Sequence, residues 1–158
     1  MKLGKKTMSR KASDNEYLHK DFHGALSCAV NYLHKTCGEE AVREYLRKFA
    51  VSYYAPLIIN IKERGLAALK EHFEKIYGIE GGEVDISLKD DEFIINVYKC
   101  PAVTYLRENN RPVADLFYET TRTVNSALCE GTPFKAEFLD YNSITGGCIQ
   151  RFTRRDKK

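Results

Sequence analysis

The hydrophobic period of the sequence changes at the glycine pair Gly81-Gly82. Before this pair, apolar residues recur three and four positions apart, which is the period of a helix buried on one side. After it, Val84, Ile86 and Leu88 alternate with polar residues, as in a strand with one face in the core. Helices followed mainly by strands indicate an α+β domain.

Helices are predicted throughout the first half of the chain. The first runs from about residue 14 to residue 36, with an N-cap at Ser13-Asp14. Gly38 ends it, and Pro56 breaks or kinks the second helix because proline lacks a backbone donor and clashes with the preceding turn. The stripe of the first helix that is expected to pack inside consists of Leu18, Phe22, Ala25, Leu26, Ala29 and Leu33.

The second half predicts two β-hairpins with a helix between them. Residues 102–111 are expected to form a loop or a short helical piece, and Pro112 to begin a helix that ends at Gly131. The inward strand positions are Val84, Ile86, Leu88, Phe93, Ile95, Val97, Phe134, Ala136, Phe138, Cys148, Gln150 and Phe152. The expected architecture is a helical N-terminal half packed on a four-stranded antiparallel sheet. The strand order is left open.

One domain is expected over residues 14–153, between a disordered basic tail at residues 1–13 and a second basic tail at 154–158. The basic residues cluster at the two ends, so the part that folds is acidic, and nucleic acid is not the expected partner. No apolar run reaches the roughly 18 residues of a membrane span. The five cysteines and the lack of a secretory pattern favour reduced thiols in the cytoplasm. The sequence does not determine the oligomeric state, and a homodimer is one of the states left open.

Three cysteines stand at the ends of predicted elements. Cys100 precedes Pro101 at the end of a strand, Cys129 ends a helix, and Cys148 follows the turn glycines Gly146-Gly147. A thiolate can be a nucleophile or a metal ligand once local charge lowers its pKa. Zinc sites usually contain a close cysteine pair, whereas gaps of 28 and 18 residues separate these three, so the metal content is left open. Packing as small hydrophobic residues explains each cysteine equally well.

Other polar residues have two interpretations each. Glu137 points to water if the sheet is covered on one face, or serves as an acid or base if it faces an apolar pocket. Tyr98 and Tyr105, on either side of Cys100, line a small-molecule cleft or simply pack in the core. The pair of His19 and His23 is expected at the water boundary of the first helix. Glu119 and Asp115 are expected on a solvated helix face.

The order of these features is similar to that of the L-2-amino-thiazoline-4-carboxylic acid hydrolase-like family. The features are a helical half, a strand ending in Cys100-Pro101, a helix ending in Cys129 and a last hairpin with Gly146-Gly147-Cys148. The chain is more distantly similar to small-ligand domains of the 4-vinyl reductase type. The resemblance covers about residues 15–153. It implies hydrolytic opening of a cyclic amidine thioether to N-carbamoyl-L-cysteine.

The resemblance also implies roles for individual residues. Cys100 and Cys148 become candidates for nucleophile or site wall, and Glu137 for proton transfer. Arg151 would hold the substrate carboxylate, although alternation places it on the opposite face from Cys148. Cys129, Tyr98 and Tyr105 would line the ligand site. The alternative function is a non-catalytic small-ligand-binding or sensor domain with a cysteine-lined pocket and, in one version, a thiol-bound metal. No cofactor is specified.

Overall fold

The computed structural model describes residues 20–155 of the chain. The predicted N-terminal tail, the cap at Ser13-Asp14, Leu18 and His19 lie outside these residues, as do residues 156–158. The first half contains the helices α1 (Asp21–Cys37), α2 (Glu39–Tyr53), α3 (Ala55–Arg64) and α4 (Leu66–Glu80). Pro56 lies in the first turn of α3, where its missing donor costs nothing, so the predicted break is a complete end of α2.

The second half forms one antiparallel sheet. Its elements are β1 (Glu83–Lys89), β2 (Glu92–Lys99), α5 (Pro101–Glu108), α6 (Glu119–Leu128), β3 (Phe134–Leu139) and β4 (Cys148–Arg154). The strand order is β1-β2-β4-β3, so the two hairpins join through β2 and β4, with Phe93 opposite Phe152 and Val97 opposite Cys148. The predicted α+β fold is confirmed. None of the helices among residues 20–155 has the length and apolar character needed to cross a membrane.

One face of the sheet carries the core. Phe93 and Phe152 are fully buried on it, their ring centroids are 5.6 Å apart, and Phe73 of α4 packs against both. The helices α1 and α2 pack instead on α5, on α6 and on the segment between them, where a second apolar cluster forms around Val30, Val42, Leu46, Leu106, Phe117 and Ala127. The helical half therefore reaches the sheet mainly through α4.

Two predictions about α1 and α6 are wrong for a shared reason. The helix predicted to begin at Pro112 begins at Glu119. The hydroxyl of Ser27 in α1 donates to the carbonyl of Pro112 and accepts from the amide of Ala114, both at 2.9 Å, which holds that segment in a non-helical form. The same contact turns Ser27 inward on α1.

The buried face of α1 is therefore not the predicted stripe. Ser27, His23 and Val30 are buried, whereas Phe22 and Ala25 are exposed. Leu26 and Leu33 are partly buried against the core. The polar residues can turn inward because each finds a partner there, as buried polar groups must.

Candidate ligand site

The structure brings Cys100 and Cys148 to one end of the β2–β4 pair. The amide of Cys100 donates to the carbonyl of Thr145 at 3.0 Å, in the turn that leads into β4. A Cβ on Gly146 would lie 2.7 Å from Cys100 Cβ and 2.6 Å from Val103 Cγ2, and the φ of Gly146 is +68°. Only glycine fits this close approach and this φ. The glycine turn thus closes over the thiols.

Gln150 organises the buried polar groups beside these thiols. It is 2 % exposed. Its Oε1 accepts from Nδ2 of Asn125 at 2.8 Å, and its Nε2 donates to the hydroxyl of Tyr77 at 2.9 Å and to Sγ of Cys148 at 3.7 Å. The sequence did not predict that Asn125, Tyr77 and Cys148 meet at Gln150. The signal was present, since a glutamine at an inward strand position must find partners for its amide.

Burial keeps the thiols protonated. It raises the pKa of Cys148 to about 11, and the Gln150 amide opposes this only in part. Burial also raises the pKa of Cys100. A thiol needs a lowered pKa to act as a nucleophile at neutral pH. Cys100 and Cys148 therefore lack the lowered pKa that a thiol nucleophile needs, and neither lines a cleft described below.

Cys129 does not join the other two cysteines. It is buried among the apolar residues near Phe134, and β3 pairs Phe134 with Arg154 at the opposite end of β4 from Cys148. Burial raises the pKa of Cys129 to about 12. The contacts of this thiol are those of a packed core residue.

Glu137, Arg151 and Tyr98 lie on the other face of the sheet. The Nε of Arg151 donates to Glu137 Oε2 at 2.9 Å. Tyr98 is 51 % exposed, and its hydroxyl donates to Asp85 at 2.6 Å. Alternation along β4 correctly predicted that Arg151 faces away from Cys148. The structure therefore places these three residues apart from the thiols.

Tyr105 is the predicted residue that lines a cleft. The cleft has a volume of about 230 Å³ and is lined by Lys20, Glu80, Gly81, Glu83, Lys99, Pro101, Thr104, Tyr105 and Glu108. It lies between the end of α4, the start of β1 and α5, and its lining includes Lys99 and Pro101, the two neighbours of Cys100 in the sequence. A wider and more open depression of about 890 Å³ lies at the other end of β4, between the β1–β2 turn and Arg155. The smaller cleft is the better candidate because it is more enclosed and adjoins Cys100 and Tyr105.

Glu80 connects this cleft with two other groups. Its Oε2 lies 3.4 Å from Nε2 of His23, and the two side chains are only 12 % and 11 % exposed. His23 is thus more buried than the predicted boundary position. Glu80 also contributes to raising the pKa of Cys100 through its negative charge. A carboxylate beside an imidazole can hold or move a proton, so this pair is the chemically capable group of the cleft.

The cleft presents both signs of charge. Lys99 Nζ lies 2.9 Å from Glu83 Oε1, and Lys20 adds a second cation at the rim. Glu80 provides the carboxylate whose charge acts on Cys100. Opposite charges in one small cleft suit a small molecule that itself carries both a cationic and an anionic group.

Glu119, predicted on a solvated face, is fully buried. It accepts hydrogen bonds from Nε of Arg43 at 3.1 Å, from Nε of Arg122 at 3.0 Å and from the hydroxyl of Thr123 at 2.7 Å. The prediction is wrong because α2 packs over the beginning of α6 and supplies Arg43. These bonds join α2 to α6.

Within residues 20–155, no group of three or more histidine, cysteine, aspartate or glutamate side chains is placed to hold a metal ion. Neither protein-family models nor curated proteins match the sequence. The resemblance drawn from the cysteine layout therefore stays a prediction.

Proposed function

We propose that this protein is a small-ligand-binding or sensor domain that takes a small carboxylate-bearing heterocycle into the cleft beside Tyr105. The observation that carries the proposal is a cleft of about 230 Å³ beside Tyr105 whose lining combines the cations Lys20 and Lys99 with the carboxylate of Glu80. L-2-amino-thiazoline-4-carboxylate, the compound implied by the resemblance, is the first ligand to test.

The charges of the cleft match such a compound. Lys20 and Lys99 would hold the carboxylate, and Glu80 would accept hydrogen bonds from the amidine nitrogens. Tyr105 and Pro101 would pack against the ring. The cleft volume of about 230 Å³ suits a compound with a single five-membered ring.

The state of the thiols favours binding over turnover by a cysteine nucleophile. Because burial raises the pKa of Cys148 to about 11, this thiol carries its proton at neutral pH. The most direct pKa-lowering contact of Cys148 is the Gln150 amide, which does not overcome burial.

A hydrolase is the second candidate, and the pair of Glu80 and His23 favours it. This pair would take a proton from water as the water attacks the ring carbon between nitrogen and sulfur. The carbon–sulfur bond would then break as the hydroxyl becomes the carbonyl of the product. One proton of the water would go to the leaving thiolate and the other to the ring nitrogen, which gives N-carbamoyl-L-cysteine. Proton transfer would belong to Glu80 and His23 rather than to Glu137, which pairs with Arg151 on the other face.

One assay separates the two candidates. The protein is mixed with a large excess of L-2-amino-thiazoline-4-carboxylate, and released thiol is followed with a chromogenic reagent, while calorimetry measures binding on the same preparation. Saturable binding without released thiol supports the binding domain. Many thiols released per chain support the hydrolase, and Glu80→Gln should then stop the release. If the compound neither binds nor releases thiol, both proposals are contradicted for this compound.

A further inference from the structure

The strand β1 is an edge of the sheet. The order β1-β2-β4-β3 leaves β1 with a strand on one side only, and β3 is the other edge. A free edge presents unpaired amides and carbonyls, to which a further strand can be added. The two edges of this sheet differ in whether these groups are already bonded.

The open backbone groups of β1 belong to Val84, Ile86 and Leu88. The amide of Arg154 donates to the carbonyl of Asp91 at 3.3 Å, so the odd-numbered residues of β2 bond to β4 and its even-numbered residues bond to β1. The β1 partners of those even-numbered residues are Asp85, Ser87 and Lys89. The three apolar residues between them therefore point their amides and carbonyls away from the sheet. Within residues 20–155, no backbone group outside the sheet bonds to them.

The edge at β3 is partly closed. The amide of Arg155 donates to the carbonyl of Pro133 at 2.8 Å, so Phe134 turns its own backbone groups to the open side. Its amide donates to Thr132 Oγ1 at 3.2 Å, and its carbonyl accepts from Arg155 Nε at 2.7 Å. In contrast, β1 has neither a proline nor an inward-pointing charge, which are common devices against edge pairing. The edge at β1 is therefore the one that fits a further strand.

We propose that β1 pairs with β1 of a second copy of the chain, antiparallel about a two-fold axis at Ile86, so that the two sheets become continuous. Such an interface must be self-complementary. Ile86 is the middle residue of β1, so every residue of the strand finds a partner. Ile86 would lie opposite Ile86 of the second copy, and Val84 opposite Leu88. Each of these pairs would exchange two hydrogen bonds through the open backbone groups.

The charges of β1 fit a second copy. With the axis at Ile86, Glu83 lies opposite Lys89 of the second copy, and Asp85 lies opposite Ser87, all on the exposed side of the strand. These are the positions without backbone hydrogen bonds across the new interface, where opposing side chains come closest. The Glu83 side chain is 61 % exposed beside Lys99, so it is accessible to a second cation.

Other registers fit less well. An axis at Asp85 would place this carboxylate opposite itself, which is unfavourable. An axis at Ser87 would place Val84 opposite Asp90 of the second copy, which lies in the β1–β2 turn and not in a strand. The charges and the length of β1 thus select the axis at Ile86.

The inner side chains of β1 match as well. They are only half-buried against the core cluster around Phe93, and they are Val84, Ile86 and Leu88. In the pair of strands, the apolar side chains of each copy would cover those of the other. Glu83 also lines the cleft, so Lys89 of the second copy would add a cation at the rim of the cleft.

Sedimentation analysis of the full chain tests the interface. One pair of strands makes a small interface, so the unaltered chain should change from monomer to dimer between about 1 µM and about 500 µM. Glu83→Lys and Lys89→Glu should each raise the dimer dissociation constant about tenfold or more, since each places like charges opposite one another. Lys135→Glu is the matched control on the exposed side of β3 and should leave the dimer unchanged. Circular dichroism checks that each variant is folded.

Mixing the two charge variants separates pairing from structural damage. In an equimolar mixture of Glu83→Lys and Lys89→Glu, each pair of opposing side chains again carries opposite charges. The mixture should therefore form a dimer about as stable as that of the unaltered chain. Damage to the fold of either variant would not be reversed by mixing.

Amide hydrogen exchange of the unaltered chain, measured by mass spectrometry, tests which strand pairs. The peptide that contains β1 should exchange more slowly at about 500 µM than at about 1 µM, whereas the peptide that contains β3 should not change. A chain that stays monomeric at about 500 µM would overturn the proposal and leave the edge of β1 to an extended segment of another protein. So would a dimer that both charge variants retain, a mixture that does not recover the dimer, or a dimer without added protection of β1.

Discussion

The hydroxyl of Tyr77 accepts a hydrogen bond from Nε2 of Gln150 at 2.9 Å, which ties the last turns of α4 to the middle of β4. The ring of Tyr77 also lies against Gly82, where a Cβ would come within 2.8 Å of it, and Pro101 approaches the same glycine. Tyr77 therefore connects the end of α4, which borders the cleft, with Gln150 and its neighbour Cys148. If a ligand displaced Glu80 or Pro101, a shift of Tyr77 would change its hydrogen bond with Gln150 and, through Gln150, the contact with Cys148.

Tyr77→Phe should lower the free energy of unfolding by about 1–2 kcal/mol, because a buried amide donor of Gln150 loses its partner. Urea denaturation measures the change. Tyr98→Phe is the control, since it removes a hydroxyl bonded to Asp85 on an exposed side chain, and we expect less than about 0.5 kcal/mol. Equal losses in the two variants would contradict the importance of the buried Gln150 bonds.

Glu119→Gln should cost about 1–3 kcal/mol, because it removes the charge from a fully buried carboxylate bonded to Arg43 and Arg122. Thermal or urea unfolding gives the value. Glu130→Gln removes a carboxylate from an exposed pair with Arg47 and should stay within about 0.5 kcal/mol. If the two substitutions are equally mild, Glu119 does not join α2 to α6 as described.

Alkylation rates should divide the cysteines into two groups at neutral pH. Cys28 and Cys37 are exposed and should be labelled quickly, whereas Cys148 should be labelled slowly because burial raises its pKa to about 11. At pH values below this pKa, the labelling rate of Cys148 should rise about tenfold for each unit by which the pH is increased, because the thiolate fraction rises by the same factor. Peptide mass spectrometry assigns each label. Labelling of Cys148 as fast as that of Cys28 at neutral pH would show that the thiol is activated and would favour a nucleophile.

Gly146→Ala should destabilise the protein by about 1–3 kcal/mol more than Gly38→Ala does. Both glycines have positive φ, but a Cβ at Gly146 meets Val103 and Cys100, whereas one at Gly38 meets nothing within 4 Å. The difference in unfolding free energy therefore isolates the packing of the turn on Cys100. A difference near zero would mean that the turn moves aside easily and that the thiols are more accessible than described.

The parts of the fold set by local pattern were predictable from the sequence. Alternation in β1 to β4 gave the inward residues, including the opposite orientation of Arg151 and Cys148. The start of α6 and the burial of Glu119 were not predictable, because each depends on a partner far along the chain, Ser27 and Arg43 respectively. The same holds for the cleft, since Glu80, Lys99 and Tyr105 meet only after α4, β2 and α5 have packed.

Under the proposed function, the ligand would enter the cleft at Glu80 and not the sheet face at Glu137. Calorimetric titration of L-2-amino-thiazoline-4-carboxylate into the protein, Glu80→Gln and Glu137→Gln tests it most directly. We expect saturable binding with one ligand per chain, weakened at least about tenfold by Glu80→Gln and unchanged by Glu137→Gln. Binding lost in Glu137→Gln but retained in Glu80→Gln, or no binding to the unaltered protein, would contradict the claim.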